Sequence, residues 1–149
     1  MSKQTKKHLP KIKAAGVYGG KIPPPIPPPD YVVFSFKFLD LLSNAKFSLQ
    51  HCDDPRQYTE KFLERLKAVN SMTVQSLRTP PNPHALRCHS ITWENTSEDG
   101  FPFPAMSPLR ENEPMQFEVS ANAHGRVHGF FIGSTFFIVW LDPAHLLYG

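Results

Sequence analysis

The sequence predicts an α+β domain in which an antiparallel-rich sheet carries a pair of helices packed on one face. Two apolar runs rich in aromatic and β-branched residues flank Gly133-Ser134, and this pattern is typical of a tight hairpin. Residues 55–69 repeat apolar side chains at helical spacing. The expected order along the chain is a strand, a helix, a short helix and then four strands, which indicates helices laid over one side of a sheet.

The first predicted strand lies in residues 31–38, where aromatic and β-branched residues alternate, and it is a candidate for a central strand. A second strand is expected in residues 84–93. Residues 94–114 are polar and rich in proline, which favours an irregular loop long enough to be functional or mobile. A strand over residues 115–119 then leads into the hairpin.

The helical pair is predicted from its caps and its apolar spacing. Asp54 and Pro55 supply an N-cap and a first-turn proline, so we expect a helix from Pro55 to about Val69. A shorter helix over residues 72–77, capped by Ser71, ends before the next prolines. The face of the first helix expected to be buried consists of Tyr58, Phe62, Leu66 and Val69.

The hairpin register follows from a two-residue turn at Gly133-Ser134, because each residue of one strand then faces the residue at the same distance from the turn on the other strand. The expected pairs are Ile132 with Thr135, Phe130 with Phe137, His128 with Val139 and Arg126 with Leu141. One face of this hairpin is continuous and apolar, and we expect it to be buried against Phe62 and Leu66. Its members are Val127, Phe131, Phe136, Ile138 and Trp140.

The other face of the hairpin places Arg126 and His128 at the open end, where His145 and Tyr148 arrive from the tail. A helical turn that begins at Asp142 would put these two tail residues on one side. We therefore expect the four side chains to form one concave patch on the sheet face that the helices leave uncovered. This patch is the candidate site.

These residue types suit RNA cleavage by the 2′-hydroxyl, which requires a base, a cation and an acid but no metal or cofactor. Arg126 would bind the phosphate, and His128 or His145 would exchange protons. Tyr148 would orient the phosphate or stack on a base. Structural alternatives remain: Arg126 could pair with Asp142, and His128 could be an ordinary strand histidine.

Two other pairs of polar residues are candidates for a site. Arg87 and His89 share a strand face and would contribute substrate binding if their strand neighbours the hairpin, although a solvent-facing pair is the simpler interpretation. His124 and His128 are spaced like zinc ligands, but four residues of strand span about 13 Å, too far for one ion. We expect no metal site and no cofactor.

The length of 149 residues suggests one domain, and 40% hydrophobic content is ordinary for a globular protein. The longest apolar run is too short to cross a bilayer, and the N-terminus lacks the apolar core of a secretion signal. We therefore expect a cytoplasmic protein with no membrane partner. Cys52 and Cys88 cannot define a disulfide framework and are expected to be free.

The formal net charge of +3 conceals an asymmetry, because residues 1–30 contain six lysines and one acid. Residues 22–29 consist of two isoleucines and six prolines, which favours an extended polyproline conformation. We expect residues 1–30 to form a disordered basic and proline-rich arm, followed by a single domain over residues 31–149. Such an arm could contact RNA or the ribosome, act as a peptide ligand, or only improve solubility.

The order of elements and the C-terminal motif resemble the RelE/ParE superfamily of small bacterial toxins. The motif consists of Gly125-Arg126-Val127 at the start of a strand, a two-residue turn, a second apolar strand and a tail ending in His145-Leu146-Leu147-Tyr148. Members similar to RelE and YoeB cleave mRNA on the ribosome, whereas members similar to ParE act on DNA gyrase. This chain departs from the usual pattern at Asp142-Pro143, where ribosome-dependent members often carry basic residues.

The resemblance implies a RelE-like fold, an antitoxin partner and functional roles for Arg126, His145 and Tyr148. The primary hypothesis is a toxin-like, metal-independent endoribonuclease that cleaves mRNA on the ribosome. The alternative is a non-catalytic module that binds a protein or a nucleic acid, as a ParE-like inhibitor or an interaction domain would.

Overall fold

A computed structural model describes residues 30–79, 86–121 and 123–149. These residues form an α+β arrangement with one five-stranded sheet and two helices. The order of strands across the sheet is β1-β5-β4-β3-β2. The strands are β1 (Val33–Ser35), β2 (His89–Ser90), β3 (Pro114–Glu118), β4 (Arg126–Ile132) and β5 (Thr135–Asp142). The predicted arm lies outside the described residues, apart from Asp30.

The sheet is mixed, which corrects the prediction of an antiparallel-rich sheet. Three of its pairings are antiparallel, but β1 runs parallel to β5. The backbone N–H of Val33 donates to the Ser134 carbonyl at 3.0 Å, so β1 joins the sheet beside the outer strand of the hairpin. The first strand therefore lies at an edge of the sheet, and its candidate position at the centre was wrong.

The helical pair is confirmed. Helix α1 (Pro55–Asn70) begins where Asp54 Oδ1 accepts a hydrogen bond from the Gln57 N–H at 3.1 Å. Helix α2 (Val74–Arg78) is capped by Thr73, not by the predicted Ser71. The helix begins later than predicted because the Val74 N–H donates to the Asp30 carbonyl. This hydrogen bond joins the start of α2 to the residues that precede β1. Within the described ranges, no helix has the length and apolar character needed to cross a membrane.

Strand β2 is much shorter than the strand predicted over residues 84–93. Arg87 has φ 45°, in the left-handed region, and interrupts the extended chain just before β2. Leu86 still lies beside β3, because its carbonyl accepts from the Glu118 N–H at 2.9 Å. Residues 84 and 85 lie outside the described residues. The predicted irregular loop is confirmed, with a 3-10 turn at Pro108–Glu111.

A β-bulge changes the hairpin register between its turn and its open end. The predicted pairs Ile132–Thr135 and Phe130–Phe137 are confirmed, but the register shifts between His128 and Gly129. The unpaired residue is Val139, whose carbonyl accepts a hydrogen bond from the Asp40 N–H at 2.9 Å. Beyond the bulge, His128 lies opposite Trp140 and Arg126 lies opposite Asp142, so both predicted pairs at this end were wrong.

The sheet separates two apolar cores. Phe131, Phe136 and Ile138 are buried on the helical side with Phe62 and Leu66, as predicted. Trp140 is buried but lies on the opposite face, because the bulge reverses the alternation of side chains. The loops rather than helices cover that face, through a core that consists of Phe47, Ile91, Phe101, Phe130, Val139, Trp140 and Leu147.

Trp140 is the largest side chain of the second core, and its ring stacks on Phe47 with centroids 4.2 Å apart. We expect Trp140→Ala to lower the free energy of unfolding by about 3–5 kcal/mol, because it leaves a large cavity. Urea denaturation measures this change. Ile132→Ala is the control, since that side chain is 47% exposed, and an equal loss in both variants would contradict the assignment of Trp140 to a core.

Two glycines of the hairpin region have positive φ, but only one is confined. A Cβ atom on Gly125 (φ 69°) would lie 1.9 Å from the Asp142 carbonyl oxygen, whereas one on Gly133 (φ 59°) would contact nothing within 4 Å. We expect Gly133→Ala to cost about 1–2 kcal/mol from backbone conformation alone. Gly125→Ala should cost clearly more, because it also separates the two strand ends. Thermal unfolding of both variants tests this difference, and equal losses would contradict it.

Candidate functional site

A row of buried polar residues crosses the open end of the hairpin on the loop-covered face. Strand pairing places Glu118 opposite Arg126, and Arg126 opposite Asp142. In the neighbouring row, Gln116 lies opposite His128. Gln116, Glu118, His128 and Asp142 are all buried, which is unusual for such side chains. We call these four residues, together with Arg126, the polar cluster.

Asp142 is the most connected member of the polar cluster. One carboxylate oxygen, Oδ2, lies 3.1 Å from His128 Nε2 and accepts the Leu147 N–H at 3.0 Å. The other oxygen, Oδ1, accepts the Leu146 N–H at 2.7 Å. Asp142 therefore holds the C-terminal tail against β4, and it does so without a helix, because the chain after Pro143 forms a turn.

Burial controls the protonation of His128. The imidazole is fully enclosed, and this lowers the pKa of His128 even though its hydrogen bond to Asp142 acts in the opposite direction. Burial by itself raises the pKa of Asp142, but the contact with His128 and the two tail N–H groups outweigh it, so the pKa of Asp142 is lowered. A neutral His128 next to an ionised Asp142 follows, with the imidazole donating from Nε2.

Arg126 is held by an acidic residue that the sequence did not single out. Its Nη2 atom lies 3.0 Å from Glu118 Oε1, and its side chain is only 12% exposed. Arg87 Nη1 reaches the same oxygen at 3.2 Å from the far side of β3. Arg126 thus pairs with Glu118 and not with Asp142, which had been the alternative. The alternation Met115-Gln116-Phe117-Glu118 placed a carboxylate in this row and was the available signal.

His145 and Tyr148 lie in the tail that follows Asp142, and Tyr148 packs against the loop-covered core. His145 is exposed and has φ 58°, and its ring centroid lies 6.3 Å from that of half-buried Tyr148. The prediction that a helical turn brings them to one side was wrong in its geometry, because residues 143 and 144 form a turn and the chain after them is irregular. The two rings are nevertheless neighbours.

His89 also joins this face, through a different partner. Its Nε2 atom lies 2.8 Å from Gln116 Nε2, and the imidazole is on the exposed side of β2. The condition set from the sequence, that their strand neighbours the hairpin, is not met, because β3 lies between β2 and β4. Arg87 also precedes β2, so it does not share a strand face with His89.

The prediction that His128 lies in an accessible concave patch was wrong. Phe47 covers the His128 ring, with centroids 5.9 Å apart, and the His128 side chain is 0% exposed. Arg126 is likewise mostly enclosed. Of the predicted site residues, Arg87, His89, His145 and Tyr148 remain in contact with solvent.

A separate cavity of about 380 Å³ lies beside the start of α1, on the helical side of the tail. His51, Cys52, Asp53, Tyr58 and His124 are among its lining residues. Nothing in the described part of the chain brings three or more His, Cys, Asp or Glu side chains into an arrangement that could hold a metal ion. Both cysteines are free, as expected.

Comparisons of the chain with protein-family models, with curated proteins and with solved structures gave no match. The geometry of its own residues is therefore the basis for assigning a function.

The buried pair of His128 and Asp142 makes stability depend on pH. Both pKa values are lowered in the folded chain, so the unfolded chain binds more protons and the free energy of unfolding falls as the pH decreases. The His128 contribution begins to be lost below about pH 6.5, with a slope of at most about 1.4 kcal/mol per pH unit.

Thermal unfolding between pH 7.5 and about pH 5 measures this effect. His128→Gln keeps an amide donor but cannot titrate, so we expect its midpoint to vary less with pH than that of the wild type. An unchanged pH profile in this variant would show that other groups carry the dependence.

Proposed function

We propose that this domain binds RNA, and that it does so through the arginines gathered around Glu118 at the open end of the sheet. The observation that carries the proposal is that two guanidinium groups share one carboxylate oxygen at that point. Arg87 and Arg126 both contact Glu118 Oε1, at 3.2 and 3.0 Å. A carboxylate oxygen shared in this way engages only part of each guanidinium, so the exposed side chain of Arg87 keeps N–H donors at the surface.

A third arginine lies close by. Arg65 of α1 donates from Nε to the Val119 carbonyl at 2.9 Å, one residue beyond Glu118. Burial lowers the pKa of Arg65, and the Glu118 carboxylate opposes that shift, so the two charges interact. We call Arg65, Arg87 and Arg126 the arginine cluster.

Arg87 is the member best placed to meet a ligand. Its side chain is 58% exposed, against 12% for Arg126. A guanidinium that uses only some of its five N–H donors can bind phosphate oxygens with the rest. The six lysines of residues 1–30 would add contacts that do not depend on RNA sequence.

The second candidate is the toxin-like endoribonuclease with a RelE-like fold, an antitoxin partner and a ribosomal target in the cytoplasm. The neighbouring rings of His145 and Tyr148 favour it, because together they offer a proton carrier and a phosphate or base contact. The enclosure of His128 and the pairing of Arg126 favour binding over catalysis. We therefore place the non-catalytic RNA-binding module first.

Fluorescence anisotropy of the full chain with a labelled single-stranded RNA tests the proposal. We expect Arg87→Ala to weaken binding about fivefold at low salt and to reduce the slope of log K against log salt by about 0.7, the value for one lost phosphate contact. Arg56→Ala is the matched control, because Arg56 is also exposed but pairs with Glu60 at the start of α1. Arg126→Ala is unsuitable as a test of binding, because it leaves the Glu118 carboxylate buried without its closest partner.

Equal affinities and salt slopes for the wild type and Arg87→Ala would refute the arginine cluster as the RNA site. Incubation with translating ribosomes and mRNA separates the two candidates. Cleavage that is lost in His145→Ala and in Tyr148→Phe, with the fold retained, would replace the binding module by the endoribonuclease.

A further inference from the structure

The loop-covered face has a second exposed region at the turn of the hairpin, and this region is apolar. Val33 and Ile132 are 48% and 47% exposed, although both are β-branched residues in strands. Strand pairing places both beside Thr135, so they lie in one row on one face. Phe38, Phe103 and Phe137 are half-buried next to them. We call these five residues the hairpin-end face.

The three aromatic rings of the hairpin-end face form a continuous surface. The ring of Phe38 lies 5.4 Å from that of Phe137 and 5.4 Å from that of Phe103. Phe130 supports all three from below, at 5.4–6.1 Å, and is itself fully buried. Because the supporting ring is fixed in the core, the exposed rings are held in place. Lys37 closes one side, with its ammonium 5.4 Å from the Phe38 ring centre.

Partly exposed aromatic rings that are held in this way suit the binding of extended proline-rich segments. Such segments populate the polyproline conformation before they bind, so little conformational entropy is lost on binding. Proline rings also pack flat against aromatic side chains, and the isoleucines between them supply further apolar contact. No charged side chain is needed in the ligand.

The chain carries a segment of this kind immediately before β1. Residues 22–29, outside the described residues, read Ile-Pro-Pro-Pro-Ile-Pro-Pro-Pro and contain no charge. The segment ends four residues before Val33, and the Val33 N–H donates to the Ser134 carbonyl in the hairpin turn. The chain therefore enters β1 at the same end of the sheet as the hairpin-end face, after Asp30, whose carbonyl accepts the Val74 N–H on the helical side.

We propose that residues 22–29 bind the hairpin-end face of the same chain as an intramolecular ligand. Eight residues in the polyproline conformation span about 25 Å, and the three strands that carry the face, β1, β5 and β4, span about 10 Å. The segment is long enough to reach across them after a reversal near Asp30. A short tether gives an effective concentration of about millimolar, so weak contacts suffice.

The proposal concerns a surface remote from the arginine cluster and does not depend on RNA binding. It assigns the proline-rich half of residues 1–30 to the role of a peptide ligand and leaves the lysines ahead of it available to other partners. A bound segment would cover Val33 and Ile132, the two strand residues that are otherwise left exposed to water.

Photo-crosslinking of the full chain tests this placement. A benzophenone amino acid replaces Ile26, and the crosslinked peptides are identified by mass spectrometry. We expect crosslinks within monomers to peptides that contain Phe38, Ile132 or Phe137. The same amino acid in place of His8, ahead of the proline-rich segment, is the positional control and should not label that face.

Ile132→Ser removes a half-exposed apolar contact, and thermal unfolding checks that the variant is folded, so we expect it to reduce the crosslink yield about fivefold. An unchanged yield in Ile132→Ser would overturn the proposal, as would crosslinks that map to another surface. Crosslinks found only between two chains would also overturn it and would show that the face receives the segment of a second copy.

Discussion

The structure depends on the buried carboxylate of Asp142, which contacts His128 and accepts two N–H groups of the C-terminal tail. A carboxylate that is removed from water is unfavourable unless several donors satisfy it. Three donors do so here, and they come from β4 and from the tail. This one residue therefore fixes the end of β5 to the end of β4 and closes the loop-covered core over Leu147, while Gly125 leaves room for the Asp142 backbone.

The same requirement explains why the candidate site has two parts with different roles. His128 contacts the buried carboxylate of Asp142, and Arg126 forms an ion pair with the buried carboxylate of Glu118, so both side chains are engaged inside the domain. Arg87, His89, His145 and Tyr148 surround these pairs and keep their polar groups near water. A rigid interior that positions a polar rim suits recognition of an anionic chain, because the rim is held in place without being neutralised.

Both faces of the sheet are buried, although both α-helices of the described residues pack on the same face. The helices bury one side, and the long segment between β2 and β3 buries the other through Phe101 and Phe103. Its aromatic rings meet Phe130 and Trp140 of the hairpin at 5.1–6.1 Å. A segment without regular secondary structure can cover this face because each aromatic side chain buries a large apolar area. These loops do not extend over the strand residues next to the hairpin turn, so Val33 and Ile132 are exposed.

Local patterns in the sequence determined α1, its Asp54 cap, the Gly133-Ser134 turn and the apolar face of Phe131, Phe136 and Ile138, since each depends on neighbours along the chain. The sequence also placed Arg126 and His128 together at the open end of the hairpin, where they lie. Only the tertiary structure decided the bulge at Val139, because the Asp40 N–H that binds its carbonyl comes from a distant segment. That bulge moved Trp140 to the opposite face and placed Arg126 across from Asp142. The parallel pairing of β1 and the burial of Glu118 were likewise decided by contacts between distant parts of the chain, which periodicity does not encode.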